Sequence, residues 1–285
     1  MNISINNSIQ KYIINLPERP ERLHHSIEQL RKVNLDDMIT IVRAVSPEEA
    51  QCCQFDYLGK SGYQNIRNPQ NTLLLPNYKA LACFISHQKC WKHMIQHDIE
   101  EAFIIEDDLE ITNPHFFRFD LEQTKEIIEE NYDRPMYIIF NGKYLENKND
   151  DSNYYYYLES NQTQNVNDVL SQFGIYPEIK YFPYIDYSVV GCGYYYVNLK
   201  MATLLLQKLK HINYQLDVEI SNLAKIYTGH IFLNVESSSI TQSKKFTSDI
   251  QFYQISQYEI SYLFNLNSDI SRQILDYLPM FYRTD

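Results

Sequence analysis

The stretch Ala102-Phe103-Ile104-Ile105-Glu106-Asp107-Asp108 joins a run of four apolar residues directly to three carboxylates. A short unbroken apolar run of this kind predicts a strand buried on both faces, and such strands belong to a parallel sheet covered by helices. The flanks agree. Tyr78 to His97 carries Leu81, Phe84, Ile85, Trp91 and Ile95 at helical spacing, with Asn77 as its candidate N-cap. Further upstream, Tyr12 to Leu16 reads as a strand, Pro17 to Val33 as a helix through Leu23, Ile27 and Leu30, and Met38 to Val45 as a second strand. Strand, helix, strand at this spacing begins a parallel sheet. Ser46 to Tyr78 lacks periodicity and contains Pro47, Gly59, Gly62, Pro69 and Pro76, so a long functional loop is expected there.

Downstream, Met136 to Phe140 is another apolar strand, and Val189 to Val197 reads as one strand entered through Gly191 and Gly193. Asn198 then caps a helix running to Lys210, Asp217 to Tyr227 forms a further helix, and Ile231 to Val235 a last strand. The fold class is therefore α/β with a mostly parallel central sheet. One domain is expected over residues 1–250, with a Tyr/Asn-rich, partly ordered insertion at 144–182. A helical extension at 251–285 would offer a surface for homo-oligomer formation.

Composition narrows the classes of function. With 25 Lys and Arg against 36 Asp and Glu the formal charge is −11, and no Lys/Arg run of five or more is present, so nucleic acid is excluded as a partner recruited by overall charge. No 18-residue apolar stretch occurs, so no transmembrane segment is expected. The first twenty residues are too polar for a secretory signal, which points to the cytoplasm. Five cysteines without a C-x-x-C pair suit buried thiols better than a disulfide framework or a zinc site.

Ligands of open parallel sheets bind beyond the carboxyl ends of the strands, where Glu106, Asp107 and Asp108 stand. Adjacent carboxylates repel unless solvent or a cation relieves them, and hard oxygen donors suit Mg²⁺ or Mn²⁺. On an extended backbone residues 106 and 108 point the same way and residue 107 the opposite way, so Glu106 and Asp108 can share a site. A solvated acidic loop is the rival reading.

The segments Tyr12 to Arg22 (Y-I-I-N-L-P-E-R-P-E-R), Ala80 to Trp91 (A-L-A-C-F-I-S-H-Q-K-C-W) and Phe103 to Leu109 (F-I-I-E-D-D-L) together resemble glycosyltransferase family 25. Val190 to Ala202, Leu216 to Glu219 and Thr241 to Ile250 extend the resemblance in the right order over about residues 11–250. What it implies is a GT-A type, Rossmann-like nucleotide-sugar-binding domain that uses a divalent cation and moves a hexose from a UDP-sugar donor, with inversion, to a hydroxyl of a glycan or protein acceptor. A cation would stabilise the charge developing on the departing diphosphate.

Under that resemblance Asp108 is placed on the metal and Glu106 near the ribose or the metal. Asp217 is the candidate general base, with Glu219 as its substitute; a helix N-cap is the other reading of Asp217. Arg19 and Arg22, after the first strand, and Ser86 and His87, on the helix before the acidic strand, are candidate donor-binding residues. Lys244 and Lys245 are candidates to close over the diphosphate. For each of these six a surface or structural role is the alternative. His93 and His97 lack the glutamate of H-E-x-x-H and read as a solvent-facing pair. A catalytically inactive glycan- or protein-binding relative is the second functional reading.

Overall fold

The computed structural model describes residues 9–67, 75–140, 143–147, 155–157, 181–183, 188–227, 230–234, 240–243 and 245–246. The chain divides into two compact units, Met1–Phe246 and Thr247–Asp285, and every described residue belongs to the first. The expected extension at 251–285, with its surface for self-association, lies outside the described residues, as does most of the 144–182 insertion.

The first unit is built on a seven-stranded sheet in the order β2-β1-β3-β10-β5-β11-β8. The strands are β1 (Gln10–Asn15), β2 (Ile39–Arg43), β3 (Glu101–Glu106), β5 (Tyr137–Ile139), β8 (Tyr181–Pro183), β10 (Tyr194–Asn198) and β11 (Ile231–Asn234). β1 runs parallel to both β2 and β3, and β11 runs parallel to β5. β10 is antiparallel to both β3 and β5, and β8 is antiparallel to β11. The sheet is thus mixed but mostly parallel, as the apolar runs implied.

Helix α1 (Pro20–Arg31) begins with proline, whose fixed φ suits the first helical position. Helix α5 (Tyr78–Gln96) begins where the Asn77 side chain accepts the Ala80 N–H at 3.0 Å, as the sequence indicated. Helix α7 (Leu199–Lys208) is capped by Asn198, whose Oδ1 accepts the N–H of both Met201 and Met136. One asparagine therefore starts a helix and fixes the entry of β5. Helix α8 (Leu216–Ile226) follows.

Two expectations change. The stretch from Ser46 contains three short helices, α2 (Pro47–Cys52), α3 (Gln54–Tyr57) and α4 (Lys60–Arg67), where a loop was expected. Ser46 and Glu49 form a reciprocal capping box, a local signal that needs no periodicity. Val189 to Val197 is two strands, β9 (Ser188–Val190) and β10, because the backbone turns at Gly191, whose φ of 91° suits glycine. β9 pairs with β6 (Lys143–Asn147), which also pairs with β7 (Tyr155–Tyr157), in a separate three-stranded sheet. A further helix, α6 (Pro114–Asn131), follows the acidic strand, and β4 (Leu109–Ile111) pairs with β12 (Ile240–Gln242).

Alternation along β10 divides its tyrosines between two layers. Tyr194 and Tyr196 join Ile13, Phe103, Ile105 and Ile138 in a core that includes Leu30 of α1 and Phe117, Leu121 and Ile128 of α6. Tyr195, on the opposite face, stacks on Tyr137 at 4.3 Å and lies against the His87 ring of α5.

Candidate active site

β3 ends at Glu106, and Asp107 and Asp108 form a turn into β4. The turn overrides the two-residue alternation of an extended chain. Glu106 stays on the α5 side, where Oε1 lies 3.2 Å from His87 Nε2 and 3.6 Å from Cys83 Sγ. Asp108 swings to the other layer: its Oδ1 accepts the Tyr194 hydroxyl at 2.6 Å, and its Oδ2 accepts from Arg22 Nη2 at 3.1 Å and from Gln242 Nε2. Asp107 does not point away alone. Arg22 Nε stands 3.1 Å from its Oδ1, and Asn15 donates to its Oδ2 at 2.7 Å. The expected pairing of Glu106 with Asp108, with Asp107 opposite, is replaced by an Asp107–Arg22–Asp108 clasp with Glu106 on the other side of the strand end.

The clasp is buried, and its charges are correspondingly perturbed. Burial is the largest influence on Asp107 and raises its carboxyl; Arg22 and Asn15 pull it down, Asp108 and Glu106 push it up, and the result is about 6. Burial and the Glu106 charge raise Asp108 against Tyr194, Gln242 and Arg22. Burial also acts upward on Glu106, but the His87 and Cys83 hydrogen bonds and the Arg22 charge outweigh it and leave that carboxyl lowered.

A carboxyl raised on folding binds its proton more tightly in the folded state. Asp107 therefore contributes stability that is present in acid and lost as pH rises from about 4 to about 6. Urea melts of the wild type and Asp107→Asn across that range should give a stability difference that changes with pH; a constant difference would contradict the raised value.

Asp217 lies in the first turn of α8 and accepts the Gly191 N–H at 2.8 Å through Oδ2. Burial raises its carboxyl, the Gly191 hydrogen bond opposes this, and the charge of Glu106 acts upward on it. Asp217 and the end of β3 thus belong to one electrostatic neighbourhood. Glu219 is turned elsewhere: its Oε1 accepts the N–H groups of Asn213 and Tyr214, tying down the chain before α8.

The remaining candidates separate in the same way. Ser86 is buried, donating to the Ala82 carbonyl at 2.7 Å and accepting the Val45 N–H at 2.8 Å, so it links α5 to the chain after β2. Arg22 belongs to the clasp, with the Phe246 ring 5.4 Å from its guanidinium. The Arg19 carbonyl accepts from Asn15 Nδ2 at 3.1 Å at the start of α1. Lys245 is exposed, and Lys244 lies outside the described residues. His93 is within 2.8 Å of the Tyr12 hydroxyl and 4.2 Å, ring to ring, from His97.

Tyr194, Tyr195, Gln242, Asn15 and Cys83 enter the site without having been singled out for it. Cys83, His87 and Trp91 recur every four residues on α5, and that stripe was readable; Gln242 is brought in only by the pairing of β12 with β4.

For a hard divalent cation the site offers the right donor type, carboxylate oxygen. Glu106 Oε2 is the triplet oxygen that takes part in neither a hydrogen bond nor an ion pair among the described residues, whereas both oxygens of Asp108 are occupied. Cys83, His87 and Glu106 also place one potential ligand atom each within 4.8 Å of one another. The Cys83 thiol is held well above its ordinary pKa, chiefly by burial, which disfavours the thiolate a metal would need.

The acidic strand end thus stands on a mostly parallel α/β sheet, with a further aspartate at a nearby helix start. The profile described as Glycosyltransferase family 25 (LPS biosynthesis protein) matches residues 8–220, and the chain belongs to that family. Procollagen galactosyltransferase 2 of Homo sapiens is 28% identical over 98 residues, which are 34% of this chain and 15% of that protein. A solved structure, the mannose-1-phosphate geranyltransferase of Thermus thermophilus, aligns over 80% of this chain and 73% of its own at 11% identity and a TM-score of 0.34, too slight a likeness to bear on function. Among the described residues no helix is long and apolar enough to cross a membrane.

Proposed function

We propose that this chain transfers a hexose from a UDP-sugar to a hydroxyl of a glycan or protein, with inversion, and that Asp217 is the general base. The observation that carries the reading is the placement of Asp217: a partly buried carboxylate in the first turn of α8, oriented by the Gly191 N–H and under the field of Glu106 at the end of β3. Inverting displacement needs one base that removes the acceptor proton opposite the leaving group, and burial raises the proton affinity of Asp217. Glu219, committed to two backbone amides, holds the loop that presents α8.

Glu106, through Oε2, is the residue of the triplet that would hold a divalent cation; Asp108 would join it only by giving up Gln242 or Arg22 and turning from its present layer. Such an ion supplies charge neutralisation at the leaving diphosphate. Arg19, Lys244 and Lys245 remain the proposed donor contacts, and a cytoplasmic location remains part of the proposal. UDP release from UDP-glucose, UDP-galactose and their N-acetylated analogues with Mn²⁺ tests the whole reading. Release from none of them, with UDP binding retained, would favour the inactive relative, a reading that the full occupation of Asp108 supports.

Gly193 gives a graded test of Glu106. A Cβ there would stand 3.2 Å from Glu106 Cδ, tighter than ordinary packing, so Gly193→Ala should displace the carboxylate and leave the fold intact. Transfer should fall about tenfold, short of the ~100-fold loss of a full 1 Å misplacement. An unchanged rate would place Glu106 outside the reaction.

A further inference from the structure

We infer that Trp91 and Tyr195 are positioning residues, the inner links of a directed hydrogen-bond chain, Trp91 to Tyr195 to His87 to Glu106, that orients the Glu106 carboxylate. This deepens the proposed function and rests on it only for the role of Glu106. The direction follows from donor inventory. An indole N–H can only donate, and Trp91 Nε1 lies 3.0 Å from Tyr195 Oη, so that oxygen is an acceptor. The Tyr195 proton must then point to another acceptor, and His87 Nδ1 stands 2.9 Å away. With Nδ1 accepting, neutral His87 carries its proton on Nε2, which faces Glu106 Oε1 at 3.2 Å.

The three donor side chains are fixed by packing. Trp91, Tyr195 and His87 are buried, Tyr195 stacks between Tyr137 and the His87 ring, and Phe84 meets Trp91 edge-on at 6.3 Å. The chain commits Oε1 of Glu106 to protein and leaves Oε2 available at the strand end. It also explains why Cys83, His87 and Glu106 do not form a ready metal site despite their closeness, because the nitrogen facing the group already bears a proton.

The test combines a spectroscopic and a kinetic arm. In protein ¹⁵N-labelled at histidine, His87 should show a protonated, pyrrole-type Nε2 and a hydrogen-bonded, pyridine-type Nδ1. Tyr195→Phe, which keeps the stacked ring, should move Nδ1 to the unbonded pyridine-type position and lower exchange protection of the Trp91 indole N–H about tenfold. In transfer assays Tyr195→Phe should lower kcat about tenfold with donor KM little changed, and should cost nothing further in a Glu106→Gln background. A proton found on Nδ1, or equal losses in both backgrounds, overturns the chain. A Glu106→Gln protein as active as wild type fails the proposed role of Glu106, while the His87 resonances still decide the chain itself.

Discussion

Asp217→Asn should lower hexose transfer by about 10²- to 10⁴-fold, the contribution of a positioned general base, while the protein melts at the wild-type temperature. Asparagine retains an oxygen able to accept the Gly191 N–H, so the junction between β9 and β10 keeps its tie to α8. What disappears is the capacity to take a proton. Because burial raises the Asp217 carboxyl, the wild-type rate should climb with pH through a value above the ordinary range for aspartate. UDP release measured against pH checks both statements, and a variant with wild-type turnover would remove Asp217 from the mechanism.

Arg22→Ala should have the largest effect on stability. Its guanidinium is the one basic side chain in the clasp, in contact with both Asp107 and Asp108, and all three residues are buried. Removing one partner of a buried ionic group leaves uncompensated charge and costs about 3–5 kcal/mol. For a unit of this size that is a fall in melting temperature on the order of 10 °C. Adding Asp107→Asn to Arg22→Ala removes one of the two stranded carboxylates and should recover part of the loss. A melting temperature within about 2 °C of wild type for the single variant would show that the clasp contributes little to the fold.

Much of the architecture was legible because buried strands leave apolar runs of characteristic length. β1, β2, β3, β5 and β11 were all readable in this way, and Asn77 and Asn198 marked helix starts that the structure keeps. The direction of β10 was not legible: an apolar run reads the same either way, and the antiparallel pairing with β3 and β5 is a property of the route taken between them. Two local signals were present but not used, the Ser46–Glu49 capping box of α2 and the spacing of Phe117, Leu121 and Ile128 in α6. Some of the tyrosine excess also has an explanation, since Tyr12, Tyr137, Tyr194, Tyr195 and Tyr196 fill the interior of the sheet.

For the site, the sequence by itself determined which side chains are available: an acidic triplet at the end of a buried strand, an arginine after β1, a histidine on α5 and an aspartate opening α8. Only the tertiary structure decided how they are shared out. Local alternation would have put Glu106 and Asp108 on one side, but Asn15, Arg22, Tyr194 and Gln242 draw the turn away from extended geometry. Asn15 and Asp107 are 92 residues apart, and Gln242 and Asp108 are 134 apart. The periodicity of a strand acts over neighbouring residues and ends with the strand. Beyond that point a carboxylate turns to whichever buried donors the rest of the fold brings within reach.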